Sequence, residues 1–94
     1  MTTEPTPPEP ASPLVFPTDF PIKIMGLNVL EFEPTIVALV RTHAPDLDDT
    51  LLEVRQSREG KYLSLTVTVR AQSRAQLDAI YLALTSHPLV KVVL

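Results

Sequence analysis

The sequence predicts an α+β fold in which strands and helices follow one another as β-α-β-β-α-β, and three observations predict it. Apolar residues alternate with a period of two around Ile22–Met25, Leu51–Ser57 and Tyr62–Ala71, and an apolar run occupies Leu89–Leu94. Helical spacing replaces that alternation in two places, at Phe32–His43 and Leu77–Leu84. Proline or glycine stands at most of the boundaries between these segments.

Residues 1–14 are read as a Pro-rich disordered tail, and 15–94 as a single domain. The tail holds half of the ten prolines (Pro5, Pro7, Pro8, Pro10 and Pro13) among Thr, Glu, Ser and Ala. Such a segment cannot offset its ordering entropy by burial. The run PTPPEP has the composition of a Pro-rich ligand for an aromatic groove, and equally that of a solvated tail, which is the commoner case.

Phe16-Pro17 ends the tail, because proline biases its predecessor toward extended backbone while Phe supplies an apolar anchor. Phe20-Pro21 repeats the pair at the mouth of the first strand. Proline is tolerated there only as a first or unpaired residue, so pairing is expected from Ile22 to Met25, closed by Gly26. Phe32, Ile36, Leu39, Val40 and His43 then fall on one helical stripe. Pro34 fits only the first turn of that helix, so the capping-box lookalike Asn28-x-x-Glu31 does not open it. His43-Ala44-Pro45 ends it, and Asp46–Thr50 is a polar loop.

The second strand, Leu51–Ser57, alternates Leu52 and Val54 against Glu53 and Arg55, which predicts one buried and one wet face. Arg58-Glu59-Gly60-Lys61 is a hairpin turn in which Gly60 can take a positive φ. In the third strand Leu63, Leu65, Val67 and Val69 face one way, and Tyr62, Ser64, Thr66, Thr68 and Arg70 the other. Ser73 is an N-cap with Gln76 at the capping-box position, opening a helix with a stripe at Leu77, Ile80, Tyr81 and Leu84. Ser86-His87-Pro88 stops it before the last strand. This order is the ferredoxin-like split arrangement, with antiparallel strands in the spatial order 4-1-3-2 and both helices on one sheet face.

Ninety-four residues suffice for one modest core, which the five aromatics make mainly aliphatic. No apolar run is long enough to span a bilayer. The first thirteen residues carry two glutamates and neither lysine nor arginine, unlike an export signal, so a cytoplasmic location is expected. The absence of cysteine removes disulfides, thiolate metal sites and thiol nucleophiles together. A net charge of -3 argues against a dedicated nucleic-acid binder.

No catalytic, cofactor or metal signature emerges. The two histidines, His43 and His87, each follow a helix, and in this fold the helices run antiparallel, so the imidazoles are expected at opposite edges near negative helix ends. The fold also hosts acylphosphatases, but the loop Gly26–Glu31 has one glycine and no arginine with which to cradle a phosphate. Around Tyr62 the chain dimly resembles the third strand of RNA-recognition domains, yet Ser64 and Thr66 stand where further stacking rings would be wanted. Asp46, Asp48 and Asp49 lack the spacing of a Ca²⁺ loop.

The open sheet face is more informative. It should carry Lys23, Met25, Glu53, Arg55, Tyr62, Ser64, Thr66, Thr68 and Arg70, with Leu89 and Val93 from the last strand while Val90, Val92 and Leu94 point to the helices. Met25, Tyr62, Leu89 and Val93 would form a small apolar patch, with Lys91 guarding the edge strand.

Taken together, Phe16-Pro17-Thr18, Phe20, Lys23, Met25 and Gly26, then His43-Ala44-Pro45, Ser57, Gly60, Tyr62, Ser64 and the Val-rich end resemble the YbeD-like small bacterial proteins of unknown function. The resemblance covers roughly Val15 to Leu94. It implies a βαββαβ domain similar to the ACT-type regulatory domains that sense amino acids, which bind ligand near the loop after the first strand. It implies no activity and carries over no catalytic residue.

The expected function is therefore a non-catalytic regulatory or adaptor module. It would act through a protein partner, a second copy of itself in a homodimer, or a small metabolite such as an amino acid. The candidate residues are Lys23, Met25, Tyr62 and Arg70 on the open face, with Gly26 and Asn28 added for a small ligand. The alternatives are a small enzyme using the first loop and Asp46–Asp49, and a weak RNA binder using the open face.

Overall fold

In a computed structural model, which describes residues 14–94, the elements follow the expected order. Strand β1 spans Thr18–Leu27, helix α1 Phe32–His43, β2 Glu53–Gln56, β3 Tyr62–Ala71, helix α2 Arg74–Thr85 and β4 Val90–Val93, with a 3₁₀ turn at Asp49–Leu51. The strands form one antiparallel sheet in the order β2-β3-β1-β4, which is the expected 4-1-3-2 counted from the other edge. The tail read over 1–14 lies, apart from Leu14, outside the described residues.

The period-two residues Ile22 and Ile24 of β1, and Leu63, Leu65, Val67, Val69 and Ala71 of β3, are buried on one sheet face. They pack against Phe32, Ile36 and Val40 of α1 and Leu77, Ile80 and Leu84 of α2. Burying a large aliphatic side chain contributes about 1.5–3 kcal/mol, so these stripes account for the layering. Pro34 sits in the first turn of α1, where Thr35 N donates to Glu31 O at 3.1 Å.

The two helices are joined end to end by one side chain. Gln76 N donates to Ser73 Oγ at 3.1 Å, Gln76 Oε1 accepts from Gln72 N at 2.7 Å, and Gln76 Nε2 donates to His43 O at 2.9 Å. The capping residue of α2 thus also satisfies a carbonyl that the end of α1 leaves without a helical partner. The C-terminus of α1 therefore meets the N-terminus of α2, and His43 and His87 lie at opposite ends of the helix layer.

Three expectations are corrected. Strand β1 pairs with β3 from Thr18 rather than Ile22, with Pro21 inside the ladder opposite Thr68. Lys23 N donates to Leu94 O and Leu94 N to Lys23 O, so the alternate residues of β1, Pro21 included, direct their backbone groups toward the β4 side. No described strand pairs with Pro21 there, and its missing N–H interrupts nothing.

Strand β2 is shorter than expected, because Leu51 belongs to the 3₁₀ turn that Asp48 caps by accepting from Thr50 N at 2.9 Å. Val54 pairs with Leu65 on the helix side yet remains 46% exposed, so the helices give this edge strand little cover. In β4 Val90 packs on the core as expected, but Leu89 and Val93 join it there, and Val92 and Leu94 take the open face instead. A register shift between Met25 and Gly26 accounts for the difference.

Candidate functional site: the open sheet face

Pairing decides which side chains share the face turned away from the helices. Met25 stands opposite Ser64, and Ser64 opposite Arg55; Lys23 stands opposite Thr66, and Leu27 opposite Tyr62. Met25 also pairs with Val92, which places Val92 on the same face. The hairpin that presents Tyr62 is closed twice, by Ser57 N donating to Tyr62 O at 2.9 Å and Tyr62 N donating to Ser57 Oγ at 3.0 Å. Gly60, with φ +75°, makes the turn.

Part of this face forms a shallow depression of about 360 Å³. Its lining includes Lys23, Met25, Arg55, Tyr62, Ser64 and Leu94, and among the described residues no carboxylate side chain. Leu94 is 66% exposed, Val92 43% and Tyr62 40%, which gives the depression an apolar floor continuing past its rim. Neither Lys23 nor Arg55 forms an ion pair among the described residues. Glu53 faces Thr66 in the neighbouring row, outside the lining. Two of the eight lysine and arginine residues in a chain of net charge -3 thus line the depression.

The candidate residues separate into groups. Lys23, Met25 and Tyr62 come together in the depression. Asn28 sits at the adjacent hairpin, its backbone N donating to Lys61 O at 2.9 Å and its Nδ2 to Gly60 O at 3.0 Å. Gly26 lies underneath, where a β-carbon would meet the Leu89 carbonyl oxygen and the Phe32 ring. Arg70 stands six strand positions from Ser64, about 20 Å along β3, and its Nη1 donates to Asp19 Oδ1 at 3.1 Å. Leu94, Val92 and Leu27 were not among the candidates, because the register shift and the full length of β1 leave no mark in the hydrophobic pattern.

The acidic loop is engaged locally. Asp49 pairs with Arg41, and Asp48 Oδ1 accepts from the Thr50 hydroxyl at 2.6 Å as well as from its amide. Those two bonds, the hydroxyl first, hold the Asp48 carboxyl below its ordinary range. Burial pushes the Tyr81 phenol up, and its hydroxyl donates to Leu94 O at 3.3 Å. His87 Nδ1 accepts from Leu89 N at 3.1 Å in the turn before β4. No group of three or more metal-ligating side chains occurs among the described residues, and no helix among them is long and apolar enough to cross a membrane.

The UPF0250 protein of Nitrosomonas europaea is 56% identical over 79 residues, covering 84% of this chain and 91% of that protein. The UPF0250 protein of Ralstonia nicotianae is 53% identical over 92 residues, covering 98% and 94%. Among solved structures, the solution structure of protein HP0495 from H. pylori superposes with a TM-score of 0.72 at 16% identity and covers 98% of each chain, a likeness of fold. A family model described as "Protein of unknown function (DUF493)" matches residues 11–94. With that match and relatives above half identity, the chain belongs to the DUF493 family, the YbeD-like proteins of unknown function that carry the name UPF0250.

Proposed function

We propose that this chain is a non-catalytic adaptor module that works by binding another protein on its open sheet face. One observation carries the reading: an apolar floor of Met25, Tyr62 and Leu94 lies beside Lys23 and Arg55, two cations without an ion-pair partner among the described residues. An apolar centre with a charged surround is the ordinary anatomy of a protein interface. The aromatic in its lining, Tyr62 at the hairpin end, is of the type that dominates binding energy when covered. The small-metabolite form of the reading has less support, since the space beside Gly26 is filled by Phe32 and the Leu89 carbonyl.

The test is site-specific photo-crosslinking of the full chain in bacterial cells. A photoreactive residue at Tyr62 should give a discrete protein adduct. The same residue at Leu82, 69% exposed on α2, should not. Absence of an adduct at position 62, or identical adducts at both positions, would refute the proposal.

A further inference from the structure

We infer that the partner segment taken by this face is an acidic peptide carrying apolar side chains, bound as an extended chain across the depression. The inference rests on the protein-contact reading above and adds the chemistry of the occupant.

Charge complementarity is the first argument. The depression presents Lys23 and Arg55 with no acidic side chain among its described lining residues, and Lys61 stands beside it with its Nζ 5.6 Å from the Tyr62 ring centroid. A cationic site on an anionic molecule selects against most wrong partners and steers an acidic one toward it. Between the cations, Met25, Tyr62 and Leu94 offer apolar contact, so an acidic segment without apolar side chains would leave the floor wet.

Competing occupants fit less well. In a two-fold pair of copies joined through this face, the same patch meets itself, and Lys23 and Arg55 would confront their own equivalents. A nucleic-acid base needs an open aromatic face, whereas Lys61 already lies over the Tyr62 ring and the neighbouring positions on the face are Ser64 and Thr66. A small metabolite would be covered from one side only, because the depression is shallow and set in a sheet, while small-molecule sites enclose most of their ligand. An extended peptide needs just one such side, since its own backbone spans the face and alternate side chains point down into it.

The test is an amide NMR titration of the ¹⁵N-labelled full chain with four probes. These are a synthetic peptide repeating Glu-Ser-Leu-Ser, which puts Glu and Leu on the same face of an extended chain (the Glu-Leu peptide), its Gln-Leu and Lys-Leu counterparts, and oligouridylate. The Glu-Leu peptide should shift the amides of Lys23, Met25, Arg55 and Tyr62. It should bind about tenfold more tightly than the Gln-Leu peptide at low salt, with the margin shrinking as salt screens the charges. In the Lys23→Glu/Arg55→Glu variant the order should invert in favour of the Lys-Leu peptide. Both substituted side chains reach solvent, so the fold is retained and the unperturbed core amides report it.

Equal binding of the Glu-Leu and Gln-Leu peptides would overturn the acidic assignment while leaving protein contact through this face intact. Preference for oligouridylate, or shifts of the same amides on concentrating the protein alone, would overturn the inference in favour of RNA or a second copy. No shift with any peptide would also overturn it. The crosslink from position 62 fails or succeeds independently, which separates this inference from the reading beneath it.

Discussion

The Phe32 ring occupies the space that a β-carbon on Gly26 would need, with the Leu89 carbonyl closing the same space from another side. Phe32 opens α1 and is fully buried, so the glycine of β1 sets how closely the helix can approach the sheet. Gly26→Ala should cost about 3 kcal/mol, at the upper end for overpacking because one obstacle is backbone. For a domain of this size that loss corresponds to a fall in Tm of roughly 12–24 °C. Combining it with Phe32→Leu should cost less than the sum of the two single changes, since the smaller side chain releases part of the crowding. Urea unfolding of the three variants checks this, and strict additivity would refute it.

Gln76 makes a second linkage testable. Its side chain closes the N-terminus of α2 and donates to His43 O at the end of α1, so Gln76→Ala should remove a cap and a link between helices together. A loss of about 1–2 kcal/mol is expected. Gln76→Glu keeps the acceptor for Gln72 N but, once ionised, has no donor for His43 O. It should therefore fall between wild type and Gln76→Ala at neutral pH, and move toward wild type as acid restores a donor. Denaturant unfolding at two pH values measures both effects.

Asp48 gives the acid side of the stability curve a local cause. The Thr50 hydroxyl and amide favour its ionised form, so its folded value lies below the ordinary 3.8. A depressed carboxylate contributes stability fully above the unfolded value, and loses that contribution as pH falls through the lowered folded value. Thr50→Val deletes the hydroxyl and should raise the Asp48 midpoint toward 3.8 while flattening the stability loss in that window. A ¹³C carboxyl titration by NMR reads the midpoint directly. An unchanged midpoint in Thr50→Val would show that the amide alone holds the charge.

The fold was legible where period and punctuation agree. Alternation over Tyr62–Ala71 and the helical stripes of Phe32, Ile36 and Val40 reflect burial on one face, which sequence pattern records directly. Pro21 misled because its meaning depends on a neighbour: with no described strand opposite it on one side, a proline within β1 interrupts no described ladder bond. The faces of β4 were hidden for a similar reason. Every residue there except Lys91 is apolar, so alternation carries no information, and only the register shift beside Gly26 decides that Val92 and Leu94 face out. The β1 and β3 part of the open face could be read from the sequence, and the contribution of Leu94 to its floor could not.

The last prediction separates two residues that share this face. Tyr62 lies in the depression, whereas Arg70 stands eight strand positions from it, about 26 Å along β3, and is held by Asp19, in an ion pair whose side chains are 50% and 67% exposed. An exposed pair of this kind contributes about 0–1 kcal/mol, so Arg70→Ala should leave stability nearly unchanged. If partner contact centres on the depression, Arg70→Ala should also leave crosslinking from a photoreactive residue at Ser64 unchanged. Tyr62→Ala should reduce that crosslinking by tenfold or so, the effect of losing about 1.4 kcal/mol of contact. Its backbone bonds to Ser57 persist in the variant, so near-native unfolding of Tyr62→Ala would locate the loss in binding. Equal losses from both variants would instead spread the contact over the whole sheet, and a loss confined to Arg70→Ala would move it to the far end, beside Asp19 and Thr68.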